Sequence, residues 1–185
     1  MRARQTTLGL VVAASLAAAP TAAAAPPDVT TLFTRAVQIV HSTNPPTFSR
    51  AVMLEADGTT RGGRRVSSAS GIVSWQFFLD NQSTPSSPFA SVSLRYGPAP
   101  ARFGKVKGNR SPFLEDVRIN KAPKMTLTQA VALMRRAGIR DGFFNVTLRN
   151  PLGPRATNPQ YIFGVGTRGF VSVNTVTKKV VRIAA

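Results

Sequence analysis

Thr126 and Gln129 fix the start of a helix, and the residues after it constrain what that helix can pack on. The Thr126 hydroxyl can accept a bond from an amide of the first turn while the Gln129 side chain reaches back to the Thr126 amide, the reciprocal arrangement of a capping box. Leu127, Ala130, Val131, Leu133, Met134 and Ala137 recur at the spacing of one apolar stripe, and Gly138 is placed to end the helix in a left-handed conformation. Beyond Asp141-Gly142, Phe144, Val146 and Leu148 alternate with Asn145, Thr147 and Arg149, the period of a strand with one solvated face. The turn-forming stretch Asn150 to Pro159 leads to a second alternation, Tyr161, Phe163 and Val165. Gly166 to Gly169 is short enough to return Phe170 to Val173 antiparallel beside it, before the chain closes on Asn174 to Val181. The expected product is a helix lying across a three-stranded antiparallel sheet.

The first half repeats that order. Asp28 can cap a helix whose apolar face is Val29, Leu32, Phe33, Ala36, Val37, Ile39 and Val40, stopped by Asn44-Pro45-Pro46. Phe48 to Glu55 reads as a strand ended by the turn dipeptide Asp57-Gly58, followed by a basic loop from Thr59 to Arg65. Ile72 to Leu79 is the most hydrophobic strand, with Val73, Trp75, Phe77 and Leu79 on one face, and Ala90, Val92, Leu94 and Tyr96 mark the next. Residue identity between the halves is poor, so what repeats is element order. Between them Pro98, Pro100, Pro112, Pro123, Gly104 and Gly108 break regular structure, while Phe113, Leu114, Val117 and Ile119 offer an apolar patch able to dock as an edge strand. The expectation is an α+β fold of two helix-on-antiparallel-sheet units, residues 25–97 and 125–185, joined by a packed connector at 98–124.

Arg2 and Arg4, the apolar run Leu8 to Ala19 and the small residues Ala22-Ala23-Ala24 read as a removed export signal over residues 1–24. The run is shorter than the roughly 18 to 20 apolar residues that span a bilayer, and no second long apolar segment follows, so a secreted chain without a membrane span is expected. It contains no cysteine, so packing alone must hold it, which suits an exported bacterial protein. Signal removal takes only Arg2 and Arg4 from 24 Lys and Arg, against seven Asp and Glu, and leaves a formal charge of +15. Such a surface attracts anionic polymers, acidic headgroups or acidic proteins.

The terminal run Phe170-Val171-Ser172-Val173-Asn174-Thr175-Val176-Thr177-Lys178-Lys179-Val180-Val181, set behind a helix and two strands, resembles the PepSY domain. The chain departs from that pattern in having Asn174 where Asp is usual and Lys178 or Lys179 where Gly is usual. The resemblance implies tandem cystatin-like modules that are extracytoplasmic and non-catalytic. In some relatives such modules lie within peptidase propeptides and are associated with peptidase restraint.

The residues themselves offer little chemistry. Without cysteine there is no thiol nucleophile, and with His41 alone there is no His pair for zinc, so no metal or cofactor is expected. His41, near the end of the first helix, suits a structural role beside the helix dipole. Two carboxylates can suffice for glycoside hydrolysis, and Glu55 with Asp57, or Glu115 with Asp116, are the pairs available. Asp57 belongs to the expected turn and Glu115-Asp116 to a strongly basic neighbourhood, so structure outweighs catalysis for both and a non-enzymatic chain is expected. Arg61, Arg64 and Arg65 on a Gly-containing loop, and Lys105, Lys107 and Arg110 in the connector, are the candidate anion- or partner-binding residues. Strand alternation assigns Trp75 and Phe77 to the core and leaves only Phe78 to look outward, which disfavours a base-stacking platform for nucleic acid. Two functions remain in play: binding an extracellular protein such as a peptidase through a sheet edge, or binding an anionic envelope polymer by charge.

Overall fold

The computed structural model describes residues 27–81, 87–98, 101–113, 117–151 and 158–184. The expected signal, residues 1–24, lies outside them, as do Leu114, Glu115 and Asp116. The elements are α1 (Val29–Thr43), α2 (Pro45–Phe48), β1 (Ala51–Thr60), β2 (Ile72–Asn81), β3 (Ser91–Pro98), β4 (Ala101–Phe103) and β5 (Lys107–Asn109), then α3 (Leu127–Arg136), β6 (Asn145–Arg149), β7 (Gln160–Gly164), β8 (Phe170–Asn174) and β9 (Val180–Ile183). Among the described residues no helix is long and apolar enough to cross a membrane.

The fold is α+β, but it is not two helix-and-three-strand units. The nine described strands form one antiparallel sheet in the order β4-β3-β2-β1-β6-β7-β8-β9, with β5 also paired to β3. The halves merge because the first strand of each group pairs with the other, Glu55 opposite Arg149 and Thr59 opposite Asn145. A meander standing alone would leave the amides and carbonyls of its first strand unpaired along one edge, and joining the two edges satisfies both sets. The strand count differs too. The connector supplies β4 and β5, the described residues 113 and 117–119 carry no strand, and the chain after β8 turns back as β9. The expected patch still packs: Ile119 is buried and donates its amide to the Met53 carbonyl at 2.7 Å, while Phe113 meets Phe78 edge-on, ring centroids 4.8 Å apart.

Local chemistry places both helices. The Gln129 amide donates to Thr126 Oγ1 at 3.2 Å and the Thr126 amide to Gln129 Oε1 at 2.9 Å, completing the capping box of α3, and Gly138 follows the helix with φ of 80°. Asp28 Oδ1 accepts from the Thr30 amide at 3.0 Å to cap α1. Its other oxygen accepts from the Leu127 amide at 3.0 Å, so one carboxylate caps both helices. α1 ends at Asn44, and Pro45-Pro46 opens α2, where a missing amide hydrogen costs nothing. Phe48, the buried residue of an otherwise largely exposed helical turn, therefore closes α2 rather than starting a strand. His41 Nε2 lies 2.8 Å from the Ala51 carbonyl and ties the end of α1 to the start of β1.

The apolar faces of both helices share one core with the sheet. Trp75, Phe77 and Leu79 of β2, Val146 and Leu148 of β6, and Tyr161 and Phe163 of β7 are all buried in it. Val73 is only half-buried, because the β1–β2 register slips between Thr59 and Thr60 and Ile72 takes the inward place. Asp57-Gly58 is not a turn. Both residues lie inside β1, and a Cβ built on Gly58 would stand 2.8 Å from Trp75 Cη2 and 2.9 Å from Ile72 Cγ2. The glycine leaves room for an indole folding over from the neighbouring strand.

Tyr161 donates its buried hydroxyl to the Met125 carbonyl at 2.8 Å, joining β7 to the residue that precedes the cap of α3. Burial, and then the nearby Asp28 charge, raise its ionisation above the ordinary value of 10.0. The folded state thus keeps a proton that the unfolded chain loses, so this contribution is complete below about pH 10 and is lost as pH rises above it. Urea midpoints measured from pH 7 to 11 are expected to fall more steeply for the native chain than for Tyr161→Phe, and parallel slopes would contradict this.

Candidate functional site: the open sheet face and its β9 edge

α1 and α3 lie on one face of the sheet; among the described residues the other face carries no helix. Its middle is a hydrogen-bonded polar strip. Thr147 Oγ1 donates to Asp57 Oδ1 at 2.6 Å, Arg149 pairs with Glu55 at 3.4 Å, and the Thr59 and Ser74 hydroxyls lie 2.6 Å apart. Glu55 and Asp57 do share one side of β1, and they line a shallow groove of about 380 Å³ whose rim is Ile162 and Phe170. Both are engaged by β6, so each carboxylate has a structural task.

Beyond Ile162 the face becomes apolar. Phe170 lies opposite Ile183 and Ser172 opposite Val181 in the β8–β9 pairing. Phe170, Val181 and Ile183 are 47%, 39% and 48% exposed, high for three large apolar side chains on two adjacent strands. β9 is the last strand of the sheet, and no described strand covers its outer side. Arg182, between the two exposed residues, forms an ion pair with Asp141 and fastens β9 to the loop before β6. At the opposite edge β4 and β5 are three residues each, the short form that discourages further pairing.

The two expected basic clusters stay apart. Arg61, Arg64 and Arg65 follow the C-terminal end of β1, where Arg65 sets its guanidinium 5.0 Å from the centre of the Phe144 ring. Lys107 stands opposite Ser93 on the outer side of β3, with exposed Lys105 and Arg110 flanking β5. Three strand spacings and about five residues along the sheet separate the groups, on the order of 20 Å, so they do not form one site.

A different cluster was not apparent from the sequence. Lys124, Arg136 and Lys178 converge with Gln129 on a groove of about 370 Å³ beside α3, floored by Met125, Leu133 and Thr175. Its one sequence signal is the spacing of Gln129, Leu133 and Arg136, which places them on one stripe of α3. Lys124 and Lys178 reach it from segments far apart in the chain. Among the described residues no group of three or more His, Asp or Glu side chains converges as a metal site would. No protein-family model matches this chain, and comparisons with curated proteins and with solved structures return no match.

Proposed function

We propose that this chain is a secreted, non-catalytic binding module that takes an extended segment of a partner protein, such as an exposed segment of an extracellular peptidase, as an added strand along β9. The observation that carries the reading is the uncovered β9 edge beside exposed Phe170, Val181 and Ile183. Main-chain pairing along such an edge supplies affinity, and the apolar side chains on its open face select what lies across them. The polar strip of β1 and β6 beside the patch gives the partner a hydrogen-bonding border, as interfaces commonly have around an apolar centre. The PepSY-like order of the second half supports the same reading. A further support is that all five described carboxylates, Asp28, Glu55, Asp57, Asp80 and Asp141, are held in caps, hydrogen bonds or ion pairs.

The test is inhibition of a panel of secreted serine, cysteine and metallopeptidases by the mature chain at 20 and 150 mM salt, followed by titration of any responder. A one-to-one complex that persists at the higher salt is expected. Val181→Lys with Ile183→Lys is expected to weaken it at least tenfold, the effect of losing about 1.4 kcal/mol or more of apolar burial. No inhibition anywhere in the panel, or a complex indifferent to both substitutions, would overturn the proposal.

A further inference from the structure

The groove beside α3 assembles what a phosphate group requires. Lys124, Arg136 and Lys178 bring three positive charges to it, and among the described residues no carboxylate lines it. Gln129 adds a directed donor: its Oε1 is committed to the Thr126 amide at 2.9 Å, so its amide NH₂ is the group left to donate. Arginine offers paired donors to an oxyanion and lysine a point charge.

Lys178 supplies a second, independent observation. Among the described residues it is the only one other than glycine with positive φ, at 60°. Asn174 Oδ1 accepts from the Val176 amide at 3.0 Å and the Thr177 amide at 2.8 Å, and the Lys178 amide donates to the Asn174 carbonyl at 3.1 Å, which holds the turn in that conformation. Glycine would adopt it without steric cost. The chain instead keeps a lysine under backbone strain at the position that completes the groove, a pattern associated with functional sites. At about 370 Å³, with Met125 and Leu133 in its floor, the groove has room for a carbon body as well as an anion.

We propose that this groove binds a phosphate group carried on a larger body, either a phosphorylated small molecule or the phosphodiester of an anionic polymer. The site lies by α3 and the β8–β9 turn and stands independently of the partner-protein reading. Calorimetric titration of the mature chain with glycerol 3-phosphate and with poly(glycerol phosphate), at 20 and 150 mM salt, tests it and separates the two sources. Binding of the small ester assigns a soluble phosphorylated molecule; binding of the polymer alone assigns a phosphodiester chain.

For whichever probe binds, Lys178→Gly and Arg136→Gln are each expected to weaken binding about tenfold at low salt. Lys178→Gly should at the same time raise Tm, so loss of fold cannot account for its loss of binding. A double variant, Arg61→Gln with Arg64→Gln, removes two charges on another part of the surface and is expected to change affinity less than twofold. If that variant costs as much as the groove variants, attraction is diffuse and the site is refuted. Failure of both probes to bind refutes it as well, and a glutamate-rich peptide that binds equally well through the same residues overturns the phosphate assignment.

Discussion

Replacing Asp28 with alanine is expected to destabilise the protein by about 2–4 kcal/mol, because it removes the cap of α1 and a charged acceptor from the first turn of α3 at once. Each loss leaves an amide of the first turn without its acceptor, Thr30 in α1 and Leu127 in α3. Neither helix has an acidic residue in its first turn, so no neighbouring carboxylate replaces the charge that Asp28 sets against both helix dipoles. At roughly 2–4 °C per kcal/mol for a domain of this size, Tm should fall by about 5–15 °C. Asp28→Asn separates the two bonds, since a carboxamide has one oxygen to accept with, and about half the loss is expected. Thermal melts of the two variants decide this; equal stability of Asp28→Ala and the native chain would show that the shared cap contributes nothing.

Gly58→Ala is expected to cost about 1–3 kcal/mol although alanine is the better strand residue. The new methyl group would meet the six-membered ring of Trp75 and a methyl of Ile72 below ordinary contact distance, so the indole would have to shift within a packed core. Most of the penalty should disappear in a Trp75→Leu background, where the obstructing ring is gone. A double-mutant cycle read by urea denaturation measures the coupling, and additive costs would show that the indole is not what excludes a side chain at residue 58.

The same contact explains what was hard to see in the sequence. The inward positions at the centre of β1 are Ala56 and Gly58, small because Phe77 and Trp75 stand directly opposite them in β2. The middle of this central strand thus carries little apolar signal, and Asp57-Gly58 has the chemistry of a turn. The two long helices and the strands β3, β6 and β7 were legible because their information is local: the Thr126–Gln129 box, the Asp28 cap, and the alternations of those strands. The slip that turns Val73 aside and the pairing of β1 with β6 depend on residues distant in the chain, and no local pattern records them. Of the binding features, the basic residues of the loops could be read directly. The apolar patch needs β9 laid beside β8, and the α3 groove needs residues 124–136 brought against residues 175–178, so neither is legible in a local pattern.

The β1–β6 pairing also bears on the order in which the molecule can form. Residues 55–59 meet residues 145–149 across about ninety positions of chain, whereas β1–β2–β3 and β6–β7–β8–β9 each pair strands that are near neighbours in sequence. Contacts that close so long a loop form late and slowly. Until they do, two half-sheets coexist, each with an open edge that can bond to the matching edge of another chain. Refolding yield should therefore fall as protein concentration rises, with the loss set by how long that central closure takes rather than by the stability of the finished sheet.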